Sequence, residues 1–360
     1  MSGHIFRTVN SYTQQLLRTY ELHTPEQVDA IISRSHNAFQ NFRNTSFAER
    51  AQKVQRLGEI LQTRKEEFAR IISTEMGKTI LQSRAEIQKS ADCCFYYAAN
   101  GEKLLQPKHY DVPGGKCYIV YQPLGPILLI QPYNFPFWLP IKACVPHLLA
   151  GDTIVLKHAY NVPECASTLE EITSEAGFQD EFLNMFVESS DTKPVIADPR
   201  VAGVSLTGSE KAGSIVGRIA GEHLKKSVLE LGGSDPYIVL EDADINYAVS
   251  QLITGRLATQ GQVCISPKRV FVMDTMHDQF VECLVKELEN WVLGDPSNES
   301  TKLGPLAKPE AVTALQSQID KSVSMGVQVL KGGKVIQGNL YPPTVLTNVT
   351  PEMPVFKGKL

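Results

Sequence analysis

One cysteine, Cys264, stands in the stretch GRLATQGQVCISPKRVFV (Gly255–Val272), between small and polar residues on one side and an apolar run on the other. Small neighbours leave a thiol open to a substrate, and a thiolate is a strong nucleophile near neutral pH; free cysteines also serve as buried packing. Glu230, in SVLELGG with apolar neighbours, is placed either to act as a base or to form an ion pair. Asn134, in QPYNFPFWLP, has its backbone fixed by prolines and aromatic residues; its amide can donate to a developing oxyanion, or simply form a turn.

Two further segments suit a phosphate-bearing ligand. VSLTGSEKAG places Gly208 and Ser209 at a strand end and Gly213 in an opening helix, where free N–H groups and the helix dipole favour an anion, although a plain tight turn has the same look. Lys157 ends the strand TIVLK, at the edge where open α/β sheets bind ligands, or else it is a solvated surface lysine. The G-x-G-x-x-G fingerprint of ordinary dinucleotide-binding folds is absent.

The surrounding pattern supplies elements to position these residues. Thr24-Pro25-Glu26-Gln27 and Ser46-Phe47-Ala48-Glu49 are capping boxes followed by apolar residues at helical spacing, so the first hundred residues read as helices. Two β-rich runs around Pro113-Gly114-Gly115 predict a hairpin. From about Ile127 short apolar strands alternate with helical stretches, which predicts a parallel sheet with helices on both faces. A second α/β region begins near Ser234, with strands at PYIVL and KRVFVM and a helix over 278–291.

The 360 residues are enough for two or three domains. A net charge of -4 gives no pull toward nucleic acid or anionic lipid. Pro126–Gly151, the longest apolar stretch, is broken by five prolines and is not a membrane span; no signal-peptide pattern opens the chain, so a cytoplasmic protein is expected. Seven cysteines without framework spacing fit reduced thiols, and no C-x-x-C or His cluster suggests a metal.

In order along the chain, EMGK (75–78), PYNFP (132–136), LKHA (156–159), LTGS (206–209), LELGG (229–233) and GQVC (261–264) resemble the aldehyde dehydrogenase superfamily. TVNSYTQQ, TSFAERA, EMGKTI and LKHA look most like bacterial succinate-semialdehyde dehydrogenases. The resemblance implies an α/β fold with a Rossmann-type NAD(P)-binding domain over 1–107 and 128–233, an oligomerisation hairpin over 108–127 and a catalytic domain, incomplete, over 234–360. It implies Cys264 as nucleophile, Glu230 as general base and Asn134 as oxyanion-hole amide, acting with the Cys264 N–H. Tyr133, Lys157, His158, Ala159, Tyr160, Gly208, Ser209 and Leu231 fall at cofactor positions. The implied reaction oxidises a small aldehyde, with succinate semialdehyde as the substrate, to its acid with NADP or NAD, and a homo-oligomer is implied if the full-length C-terminus is present.

Two departures shape these expectations. The family glutamate three residues past the lysine is Tyr160 here, which lessens repulsion of a 2′-phosphate and allows NADP. The chain ends in MPVFKGKL where the family runs on through E-E-x-F-G-P and about another hundred residues. Gly358 and Lys359 align with the acidic pair of that motif. A truncated chain of lower stability and activity is therefore expected, and the alternatives are one that only binds nucleotide or partners, or a thioester enzyme without redox chemistry.

Overall fold

Residues 5–357 are described in the computed structural model of the chain, so Gly358 and Lys359 lie outside the described residues. Strands β1 (Ile5–Val9) and β2 (Leu16–Glu21) pair with each other and precede helices α1 (Pro25–Phe42), α2 (Phe47–Thr63), α3 (Lys65–Met76) and α4 (Ile80–Leu104). The early strand pair departs from the all-helical reading of the first hundred residues. Its strands are short and carry arginines (Arg7 and Arg18), which leaves little period-2 signal. Both capping boxes form: the Thr24 and Ser46 hydroxyls accept from the N–H groups of Gln27 and Glu49, whose side chains accept in return from the cap N–H groups.

Strands β3 (Lys108–Val112) and β4 (Gly115–Ile119) form the antiparallel hairpin, closed by a two-residue turn with Gly114 at φ 79°. Then follow β5 (Pro126–Ile130), α5 (Trp138–Ala150), β6 (Thr153–Lys157), α6 (Pro163–Glu175), β7 (Phe182–Asn184), α7 (Thr192–Ala197), β8 (Gly203–Thr207), α8 (Glu210–Glu222) and β9 (Lys226–Glu230). The five strands make one parallel sheet in the order β7-β6-β5-β8-β9. Helices α1, α5, α6 and α8 pack on it, which explains why β5 and β6 read as almost continuous apolar runs.

The remaining elements are β10 (Asp235–Val239), α9 (Ile245–Leu257), β11 (Pro267–Val272), α10 (His277–Glu287), α11 (Pro309–Ser324), β12 (Gln328–Lys331), β13 (Val345–Thr347) and α12 (Pro354–Lys357). β10 pairs parallel with β11, across the connection that contains α9, and β12 pairs antiparallel with β13. Val239, Val249, Leu252, Ile253, Phe280 and Leu288 make a core there.

Contacts divide the described chain into two compact units, 5–8 with 18–69 and 84–231, and 9–17 with 70–83 and 232–357. The parallel sheet belongs to the first unit and Cys264 to the second. No helix among the described residues is long and apolar enough to cross a membrane.

Candidate functional site

In the first unit, strand register brings the motifs to one edge. Ile130 of β5 is paired with Lys157 of β6 on one side and Leu206 of β8 on the other, and Thr207 is paired with Glu230 at the end of β9. The loop holding Tyr133 and Asn134, the Lys157-His158-Ala159-Tyr160 segment, the Gly208-Ser209 turn and Glu230 therefore all leave the carboxyl edge of a single sheet. Sequence order reverses across β5, and at such a switch point the loops part to leave a crevice.

The Asn134 loop is tied down at its far end. Glu86 of α4, 3 % exposed, accepts hydrogen bonds from the N–H groups of Phe137 and Trp138 at 2.9 and 3.0 Å and so caps α5, which has no cap of its own. The Phe137 ring stacks on Phe68 at 5.6 Å between centroids. His158 Nε2 donates to the Pro136 carbonyl at 2.9 Å, while its Nδ1 accepts from the Ala159 N–H at 2.8 Å. These bonds require a neutral ring with the proton on Nε2.

Burial pushes the His158 imidazole down to about 4; the bond to Pro136 opposes the shift and nearby Lys157 adds to it. Its folded value thus lies below the 6.5 of the free side chain, so between pH 6.5 and 4 the unfolded chain binds a proton that the folded chain does not. Stability falls as pH drops through that window, by about 3 kcal/mol. Denaturant titrations at pH 7 and pH 4 should show this loss in the wild type and a loss smaller by that amount in His158→Gln.

Lys157 is 5 % exposed, which corrects the solvated-surface reading. As the last residue of an interior strand it is covered by its neighbours, and its Nζ donates to Ser189 Oγ at 3.3 Å. Burial lowers its pKa, and Glu188 pulls the other way. Tyr133 is also largely buried, which raises its phenol pKa. Tyr160 is 42 % exposed, and its ring lies against Phe6.

Residues at this edge fit a phosphate-bearing cofactor. The Ser209 side chain caps α8 by accepting from Ala212 N–H, at the positive end of a 13-residue helix. Gly213 lies against the Leu231 side chain with no room for a Cβ, so α8 packs close to the strand end. Gln131, 3 % exposed and next after β5, has neither its amide oxygen nor its nitrogen bonded among the described residues, so a donor and an acceptor stand ready for a ligand.

Glu230 differs from the buried-strand reading. β9 is the sheet edge, with Val228 58 % exposed, and the Glu230 carboxylate pairs with Lys142 Nζ of α5 at 3.4 Å. Its carbonyl accepts from Gly208 N–H at 2.9 Å, which joins the two motifs directly. Sequence inspection did not single out Lys142 or Glu86. Both lie on helices far along the chain from their partners, and a helical period would have shown only that each can share a face with its neighbours.

In the second unit, Cys264 is half-buried in the turn before β11. Thr259, Gln260 and Gly261 before it have φ values of 53°, 55° and 75°. A β-branched threonine in the left-handed region stores roughly 1–3 kcal/mol and persists only where the surroundings impose it. Here Gln82 Oε1 accepts from Thr259 N–H at 2.9 Å, Gln260 Nε2 donates to Gly77 carbonyl at 3.0 Å, and Arg256 donates to Gly261 carbonyl at 2.9 Å. The thiol-bearing loop is thus fixed rather than pliable.

A parallel sheet of this order, with its polar residues gathered at the carboxyl edge, defines an α/β nucleotide-binding fold. The chain belongs to the aldehyde dehydrogenase family, whose sequence pattern matches residues 1–359. It is 39 % identical over 358 residues to a Deinococcus radiodurans protein named succinate-semialdehyde dehydrogenase (NADP+), covering 99 % of this chain and 75 % of that one. A Mycobacterium tuberculosis protein of the same description is 40 % identical over 355 residues, with 97 % and 78 % covered. The crystal structure of a Streptococcus pyogenes succinic semialdehyde dehydrogenase in complex with NADP+ superposes with a TM-score of 0.94 at 33 % identity, covering 97 % of this chain and 78 % of that one.

Proposed function

We propose that the protein oxidises succinate semialdehyde to succinate with NADP+, with Cys264 as nucleophile, Glu230 as general base and Asn134 as oxyanion donor. The observation that carries the reading is the convergence of the Asn134 loop, Lys157, Ser209 and Glu230 on one sheet edge. The relatives named for this substrate and cofactor support the choice among aldehydes.

The Cys264 thiolate adds to the aldehyde carbon, and the Asn134 amide and the Cys264 N–H stabilise the oxygen as it becomes negative. Collapse of that oxyanion would expel hydride to the nicotinamide of an NADP+ held at the sheet edge by Lys157 and Ser209. The acyl group is left on Cys264 as a thioester, and Glu230 takes a proton from the water that hydrolyses it. Lys142, against the Glu230 carboxylate, holds the base in place between turnovers.

Lys157, Ser189, Ser209 and the N-terminus of α8 are the groups for the cofactor phosphates, with Tyr133, His158, Ala159, Gly208 and Leu231 lining the rest. Tyr160 carries no negative charge to repel a 2′-phosphate. A kcat/KM for NADP+ at least about 10-fold above that for NAD+, or about 1.4 kcal/mol, is expected. Steady-state rates with each cofactor test this, and a preference for NAD+ would contradict it.

In this reading 1–107 and 128–233 bind the cofactor and 234–360 carries the nucleophile. The hairpin over 108–127, with Tyr110, Val112, Tyr118 and Ile119 exposed, joins copies of the chain into a homo-oligomer in the cytoplasm. A two-stranded hairpin is marginal alone, which supports a covering partner.

A further inference from the structure

Lys268, four residues after Cys264, reaches back with its Nζ to three carbonyls of the thiol-bearing turn. Its Nζ lies 3.1 Å from the Val263 carbonyl, 3.1 Å from the Cys264 carbonyl and 3.0 Å from the Ser266 carbonyl. An ammonium group has three hydrogens, so it can serve all three carbonyls at once.

The geometry of the peptide unit gives this a consequence. Among the described residues there are no cis peptide bonds, and in a trans peptide the C=O and the following N–H point in opposite directions within one plane. With the Val263 carbonyl bound to Lys268, the N–H of Cys264 is turned to the side away from the lysine. We infer that Lys268 is a positioning residue that aims the Cys264 N–H at the oxygen of the aldehyde adduct. The inference rests on the proposed role of Cys264 and adds to it the side chain that sets the direction of its N–H.

The loop geometry agrees with such a function. Thr259 to Gly261 fix the chain on one side of the cysteine, through Gln82, Gln260 and Arg256. On the other side Ser266 donates to the Gly255 carbonyl at 2.9 Å, and Lys268 spans the residues between these anchors. Ile265, by contrast, is 73 % exposed.

The test separates adduct stabilisation from thiol access. Iodoacetamide alkylates a thiol by displacement at carbon and creates no oxyanion, whereas addition of an aldehyde does. The rate of Cys264 alkylation, read by peptide mapping of the full chain, is measured with increasing succinate semialdehyde and no cofactor. In Lys268→Met the alkylation rate without aldehyde should stay within about 3-fold of wild type, while the aldehyde concentration for half-protection rises about 10-fold or more. Lys268→Arg, which keeps the donors and the charge, should recover most of the protection.

Equal protection in wild type and Lys268→Met would overturn the inference, and so would a parallel fall in alkylation and protection. If the methionine variant does not melt cooperatively, Lys268→Gln supplies the same comparison. Failure of aldehyde to protect Cys264 in the wild type would instead contradict the proposed function, and the role of Lys268 with it.

Discussion

Cys264→Ala is expected to abolish aldehyde-dependent formation of reduced nicotinamide, lowering kcat by about 10⁴-fold or more, while NADP+ binds with unchanged affinity. In the proposed mechanism the thiolate makes the only covalent bond to substrate, and removing a nucleophile leaves only the small acceleration that binding and oxyanion donors provide. Lys157, Ser189 and Ser209, the groups proposed for the cofactor, belong to the other compact unit. Loss of one half-buried sulfur in a turn held by Arg256, Gln260 and Lys268 should change stability by less than about 1 kcal/mol. Absorbance assays and a binding titration on the same preparation check both parts. Residual turnover above a few per cent would remove Cys264 from the mechanism.

Glu230→Gln carries the second large effect, and it has a different kinetic form. Addition and hydride transfer need the thiolate and the oxyanion donors, whereas hydrolysis of the thioester needs a base for water. The variant should therefore release one equivalent of reduced cofactor per site in a burst and then stall, with steady-state turnover down by about 10²- to 10⁴-fold. The lost ion pair with Lys142 is half-exposed on both sides, so stability should change by less than about 0.5 kcal/mol. Stopped-flow absorbance resolves the two phases. A burst that disappears together with the steady state would place Glu230 before hydride transfer.

Much of the frame was legible in the sequence because its signals are local. Thr24 and Ser46 with their reciprocal partners marked two helix starts, and the alternation of apolar runs with helical spacing marked the parallel sheet. The terminal positions of Lys157, Gly208 and Glu230 on their strands were readable for the same reason. Their environments were not, because burial depends on which strand lies beside which. Lys157 proved covered because β6 is interior, while Glu230 proved exposed because β9 is the edge.

Long-range pairings account for most of what inspection missed. Nothing near 70–83 in the sequence announces that Gly77 and Gln82 hold the loop before Cys264, across more than 170 residues. The left-handed Thr259 and Gln260 run against local preference, and such conformations are imposed by surroundings that only the folded chain displays. Lys142 beside Glu230 is a contact of the same kind, between a helix and a strand end 88 residues apart.

The central claim is that oxidation proceeds through an acyl group on Cys264. The most direct measurement mixes the Glu230→Gln protein with succinate semialdehyde and NADP+, counts the reduced cofactor formed in one turnover, and locates the acyl group by mass spectrometry of proteolytic peptides. The account predicts one reduced cofactor and one succinyl group per chain, with the label on the peptide that contains Cys264. Reduced cofactor without any acylated cysteine, or a succinyl group on another residue, would contradict it.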